Sequence, residues 1–189
     1  MAFYYVKIGF RILTTIFTKT AFFENEIAER LSYNEEKSFT GGTSMARILF
    51  VCTGNTCRSP MAEAILKSKQ LPGVEVKSAG VYAPNGAEAS ANAKTVLEEN
   101  DISHDHRSSM LTRDEIDWAT LVLTMTQSHK GLVMNQYPFA ADKIFTLKEF
   151  AEETGNLDVA DPFGGNEQIY REAFKEIQKS IERILDKIR

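Results

Sequence analysis

Ile48-Leu49-Phe50-Val51-Cys52-Thr53-Gly54-Asn55-Thr56-Cys57-Arg58-Ser59-Pro60 is the stretch that decides how this chain folds. Its first four residues form a short, continuous apolar run, which predicts a strand buried on both faces of a parallel sheet and ending at Cys52. Ser59 and Pro60 then open the stretch MAEAILKSKQ as a helix cap and a first-position proline, with Glu63 in the first turn and Gly73 beyond the end. A buried strand therefore feeds a helix through the loop Cys52-Thr53-Gly54-Asn55-Thr56-Cys57-Arg58-Ser59. Such a turn aims backbone N–H groups inward as an anion nest, and the helix dipole adds about half a positive charge. Arg58 offers a planar donor fork suited to phosphate oxygens, and the same positive field favours a thiolate at Cys52. One loop thus makes both a nucleophile and a phosphate site. Outside this setting a cysteine at a strand end reads as a small buried hydrophobe. The apolar strand before it, Gly54, Asn55 and the Ser-Pro helix start give it the chemical reading.

Outward from the loop, strands and helices alternate. Val74 to Ser78 reads as the second strand, and Ala87 to Glu99 as a helix with Ala91, Val96 and Leu97 on its apolar side and Asn100 as its stop. Ala119 to Thr124 is the third strand, Lys143 to Thr146 a shorter fourth, and Glu167 to Ile188 a long closing helix. In that helix Ile169, Phe174, Ile177, Ile181, Ile184, Leu185 and Ile188 repeat at helical spacing. The alternation predicts a doubly wound α/β fold: a four-stranded parallel sheet, helices on both faces, and a site at the carboxyl ends of the strands, where Cys52 sits.

The 189 residues carry 22 Lys+Arg against 26 Asp+Glu, a formal net charge of −4, with 43% hydrophobic and 25% charged residues. That composition suits one folded domain and argues against nucleic acid as a partner, which calls for a basic excess. Two cysteines, both in the loop, make no disulfide framework, so a cytoplasmic protein is expected. No C-x2-C or H-x3-H spacing supports a metal site.

Residues 1–44 differ from the rest. Residues 1–23 are rich in aromatics and carry Lys7, Arg11 and Lys19 with no acid, whereas 24–44 carry five acids and two bases. The three cations interrupt the roughly 20 consecutive apolar residues that a membrane span needs, and the short apolar run before Lys19 makes a poor signal peptide. The segment is expected to be a poorly ordered extension without activity, or a surface-lying amphipathic segment. Gly41-Gly42, whose codons are G-rich, stand just before Met45-Ala46-Arg47. A ribosome-binding site read in frame is therefore expected there, with the native start at Met45 and the catalytic domain spanning 45–189.

The loop resembles that of the low-molecular-weight protein tyrosine phosphatase family, whose C-x5-R-S loop likewise follows the first strand. The resemblance covers essentially all of 45–189. The family's second motif, an Asp-Pro pair near the carboxyl end, is matched by Asp161-Pro162-Phe163-Gly164-Gly165 just before the last helix. The resemblance implies that Cys52 attacks phosphorus, that Arg58 holds the equatorial oxygens, and that Asp161 protonates the departing group and then activates water against a phosphocysteine. Thr53, Gly54, Asn55, Thr56 and Cys57 complete the phosphate-binding loop, and Ser78 matches the serine that supports Asn55. Ser59 is read both as a donor to the Cys52 thiolate and as a plain helix cap. His104 resembles a structural family histidine, while His106 and His129 are expected on the surface. No metal or organic cofactor is implied.

Two positions bear on substrate. Thr56 stands where tyrosine-specific members carry a bulkier aliphatic residue, and Phe163 is followed by Gly164 where those enzymes often place a second aromatic. CTGNTCRSPMAE and DPFGG resemble the bacterial protein arginine phosphatase branch, which implies phosphoarginine on proteins as substrate. Phe163 then packs on the guanidinium or its stem, or else simply anchors its loop; Thr56 is a discriminator or a tolerated loop residue. Cys57 is read either as a packing residue or as a redox partner whose disulfide shields Cys52. The alternatives are a tyrosine phosphatase of the same family and a noncatalytic phosphate-binding sensor, against which Asp161 argues. A thioredoxin-coupled arsenate reductase needs further cysteines that this chain lacks.

Overall fold

The computed structural model describes residues 45–189, and the expectations for 1–44 lie outside them. Four strands, β1 (Ala46–Cys52), β2 (Val74–Gly80), β3 (Leu121–Thr124) and β4 (Ile144–Thr146), form one parallel sheet in the order β2-β1-β3-β4. β1 is central because it is the most apolar strand: Ile48, Leu49, Phe50 and Val51 are each at most 1% exposed. Its residues alternate between two cores. Ile48, Phe50 and Cys52 join Met61, Ile65, Val96, Leu97, Phe174, Ile177 and Ile181 on one face, while Leu49 and Val51 join Ile116, Val122, Val133 and Ile144 on the other.

The first face is covered by α1 (Arg58–Ser68), α2 (Ala91–Glu99) and α6 (Glu167–Ile184), and the second by α3 (Arg113–Trp118) and α4 (Gln127–Gln136). A four-residue helix, α5 (Leu147–Phe150), follows β4 directly. The chain goes from β1 outward to β2 and then back across to β3, so the order reverses between β1 and β3. At such a switch point the carboxyl ends of the strands leave a crevice, and the loop after Cys52 occupies it.

Local chemistry shifted several boundaries. α1 starts at Arg58 with Cys57 at its cap position and no side-chain cap. Ser59 is therefore inside the helix and is not its cap, and Pro60 is its third residue, still within the first turn, where a missing N–H costs nothing. α2 starts at Ala91 because Ser90 caps it by accepting from Ala93 N, which leaves Ala91 exposed and turns Ala93, Val96 and Leu97 inward. In α6, Tyr170, Ala173 and Ser180 complete the buried stripe, whereas Ile169 is 42% exposed because it lies in the first turn, ahead of the packed region. The final residues tighten into a 3-10 turn, Leu185–Lys187. Among the described residues no helix is long and apolar enough to cross a membrane, and no group of three His, Cys, Asp or Glu is placed to hold a metal.

Candidate active site

The loop from Cys52 to Ser59 is shaped by Asn55. This residue is fully buried and sits in the left-handed region, φ 53°, a conformation that asparagine tolerates when its side chain finds local partners. Here the side-chain amide, Oδ1 and the backbone carbonyl each find one. Asn55 Nδ2 donates to Ser59 Oγ at 2.9 Å and to Ser78 Oγ at 2.8 Å; Oδ1 accepts from Ser109 N at 2.8 Å; and the carbonyl accepts from His106 Nε2 at 2.7 Å. Ser78 in turn donates to Glu63 Oε2. Burial pushes the Glu63 carboxyl up, but hydrogen bonds from His106, Lys67 and Ser78 outweigh it and hold the group below the usual carboxylate range.

These donors set a direction. Ser59 Oγ accepts from Asn55 and has one proton to give, with Ala79 O at 3.4 Å and Cys52 Sγ closer, at 2.9 Å; a thiolate at Cys52, which can only accept, takes it. A hydroxyl donated to sulfur stabilises a thiolate both before attack and as a leaving group. Cys52 itself is 3% exposed, at the N-terminal end of α1, where the dipole favours negative charge.

Arg58 closes the other side. It is 4% exposed; Nη1 donates to Val159 O at 3.2 Å and Nη2 to Asp161 Oδ2 at 2.7 Å. Its Nε is buried and has no partner among the described residues. A buried, unsatisfied guanidinium N–H is costly unless an anion meets it, and it belongs to the residue whose fork suits phosphate. Asp161 is half-exposed, and its Oδ1 accepts from Phe163 N at 3.2 Å, which turns the chain so that Phe163 projects with 79% exposure. Thr56 is partly buried at the turn of the loop, and its carbonyl accepts from Ser90 N. Thr53 O accepts from Tyr82 N at 2.9 Å, which brings the exposed Tyr82 beside the loop. Gly54 is partly buried and open enough to take a Cβ without a clash.

Cys57 is a buried free thiol, 3.2 Å from Tyr170 Oη and 3.6 Å from Ser90 Oγ. Burial and then the contact with Cys57 push the Tyr170 phenol up.

The histidines are arranged differently from expectation. His104 contacts Glu98 at 3.4 Å, away from the loop, and His106, expected on the surface, is the one that supports Asn55. The segment after α2 runs back to the end of β2, where Gly80 N bonds Ser109 O, so the later residue of the pair reaches the loop. His129 is also not a surface residue. At 6% exposure, its Nε2 lies 2.8 Å from Thr53 Oγ1 and its Nδ1 2.8 Å from Thr126 Oγ1. Burial, then the Arg58 charge, push its imidazole down to about 4 against the pull of Asp161 and Asp158, so the ring is neutral at neutral pH. Its only signal in the sequence was its place in the first turn of α4, three residues after the cap Thr126.

A thiol at a helix N-terminus, a guanidinium whose buried Nε–H meets no partner among the described residues and an aspartate against it form an arrangement that can hold a phosphoryl group and attack it. Comparison with known proteins agrees. A family model described as low molecular weight phosphotyrosine protein phosphatase matches residues 47–189. A protein-arginine-phosphatase of Geobacillus stearothermophilus is 58% identical over 142 residues, which cover 75% of this chain and 95% of that protein. The solved structure of the YwlE arginine phosphatase from Geobacillus stearothermophilus matches with a TM-score of 0.73 and 58% identity, over 75% of this chain and 92% of that one. A structure of a YwlE variant with serine in place of a cysteine and a phosphorylated active-site serine matches with a TM-score of 0.71 and 42% identity, over 75% of this chain and 94% of that one. The chain belongs to the low molecular weight phosphotyrosine protein phosphatase family.

Proposed function

We propose that this protein is a cysteine-dependent protein-arginine phosphatase, which removes the phosphoryl group from phosphoarginine on protein substrates through a phosphocysteine intermediate at Cys52. The observation that carries the chemistry is the pairing of Cys52, with a hydroxyl aimed at its sulfur, and Arg58, with a buried unpartnered Nε–H. In the first step the Cys52 thiolate attacks phosphorus in line, a P–S bond forms and the P–N bond breaks. Asp161, as the carboxylic acid, gives its proton to the departing guanidine nitrogen. Arg58 Nε–H and the loop amides hold the equatorial oxygens, where charge is fixed by preorganised donors. In the second step the Asp161 carboxylate takes a proton from water as water attacks phosphorus. The P–S bond then breaks to inorganic phosphate and a thiolate that receives the Ser59 hydrogen bond. No cofactor enters either step, and a reducing cytoplasm keeps the thiol available.

The arginine assignment is supported by Thr56, by the named relatives and by the backbone after Asp161. Gly164 has φ 77°, and a Cβ on Gly165 would stand 3.0 Å from Pro162 O. A second aromatic wall at either position meets strain, which leaves Phe163 alone to face a slim, planar group. The tyrosine alternative keeps the same Cys52, Arg58 and Asp161 and rests on the family description.

The test is rapid quenching of wild type during turnover of a phosphoarginine peptide, followed by peptide mapping. A phosphoryl group on Cys52 is expected. Turnover with no label there, or with label on another residue, would contradict the mechanism.

A further inference from the structure

Lys148 is a charged side chain in the core, 6% exposed, on the short helix α5. Its ammonium has three N–H donors, and three acceptors meet them: Asn156 O at 3.3 Å, Asp158 O at 2.8 Å, and Glu176 Oε1 on α6. The other oxygen of Glu176 accepts from Ala160 N at 3.1 Å. One ion pair therefore grips the segment 156–160 from both ends, and the next residue is Asp161. The segment is also tied by Val159 N to Met125 O, by Gln127 N to Asp158 Oδ1 and by its own bond from Asp158 N to Asn156 Oδ1, and it reaches the site where Val159 O accepts from Arg58.

Neither Lys148 nor Glu176 reaches the reacting atoms. As a stabiliser the pair is a poor choice: burying the Lys148 ammonium costs desolvation, while Glu176, 31% exposed, leaves the attraction partly screened by water. What an apolar pair cannot do is satisfy two carbonyls and an amide in a bend of irregular chain. We propose that Lys148 and Glu176 are positioning residues for Asp161: the pair fixes the backbone from which Asp161 delivers its proton to the leaving nitrogen. This rests on the reading of Asp161 as the proton donor.

The discriminating readout is dependence on the leaving group. p-Nitrophenolate departs with little help from an acid, whereas a guanidine needs its proton. For Lys148→Met, kcat/KM on a phosphoarginine peptide is expected to fall about tenfold or more, as small displacements of a catalytic group do. On p-nitrophenyl phosphate the loss stays below about threefold, and inhibition by inorganic phosphate stays within about twofold, because neither Lys148 nor Glu176 bonds the Cys52 loop directly. A merely structural role lowers both substrates alike. Equal losses on the two, or no loss, would overturn the proposal. Should Lys148→Met fail to fold, Glu176→Gln, which removes the charge of the pair but keeps an acceptor for Ala160 N, is judged by the same criteria. Asp161→Asn separates the two ways of failing. If it shows no substrate-dependent loss, the proton-donor reading falls and takes the proposal with it. If it shows the loss and the Lys148 and Glu176 variants do not, only the positioning role falls.

Discussion

Gly80→Ala tests how tightly the end of β2 is fitted to the phosphate loop. A Cβ at this position would stand 2.5 Å from Thr53 O, 2.9 Å from Asn55 N and 2.9 Å from Ala83 Cβ. Two of these neighbours are backbone atoms of the loop itself, so no side-chain rotation relieves the contact. Relief requires the loop or the strand to move by several tenths of an ångström or more, while Gly80 N and O are pinned by Ser109 O and Leu111 N at 2.9 Å. Overpacking of this kind costs about 1–3 kcal/mol, which for a domain of this size is a fall in Tm of roughly 3–9 °C. The loop is the softer side, because its anion-facing amides carry few internal bonds, so it takes most of the shift. The effect on kcat/KM should then exceed what stability alone explains, at about 10- to 100-fold, with inhibition by inorganic phosphate weakened in parallel. Steady-state kinetics at a temperature where both proteins are fully folded, with phosphate titration and thermal melts, measures all three. A Gly80→Ala protein with wild-type kcat/KM and wild-type phosphate affinity would refute the reasoning.

Three further outcomes are expected. His129 is neutral and buried in the folded state, with its pKa lowered from 6.5 to about 4; the unfolded chain binds the extra proton first, so stability falls as pH drops from about 6.5 towards 4. Urea midpoints measured at intervals across that range should fall more steeply for wild type than for His129→Asn, and equal slopes would count against the buried neutral ring. Cys57→Ser should recover less activity than wild type after peroxide followed by thiol, if Cys57 shields Cys52 as a reversible disulfide; equal recovery assigns Cys57 to packing against Tyr170 and Ser90. Asp161→Asn should cut turnover of phosphoarginine peptide by about 100-fold or more while inorganic phosphate still binds, and unchanged turnover would remove Asp161 from the mechanism.

The loop was legible because its neighbours speak locally: an apolar run that can only be a doubly covered strand, and Asn55 with Ser78 already paired by motif. What stayed hidden depends on contacts distant in sequence. α4 has a mostly polar face and buries only His129 and Val133, so its periodicity is too weak to read. α3 has six residues and buries Ile116 alone, although its capping box from Thr112 to Glu115 was written in the chain. His129 meets Thr53, and Lys148 meets Glu176, across separations that no local pattern reports. Ser59-Pro60 misled in a specific way. The pair has the composition of a cap and a first helical residue, yet the curl of the loop begins the helix two residues earlier, at Arg58, and turns the Ser59 hydroxyl to the sulfur.

The measurement closest to the central claim compares kcat/KM for a phosphoarginine peptide and a phosphotyrosine peptide of the same sequence, on wild type and on Thr56→Ile. Wild type is expected to prefer phosphoarginine strongly, with that preference eroded by the substitution because a branched aliphatic group replaces a hydroxyl at the turn of the loop. A wild-type preference for phosphotyrosine would contradict it, leaving Cys52, Arg58 and Asp161 in their roles but overturning the arginine assignment.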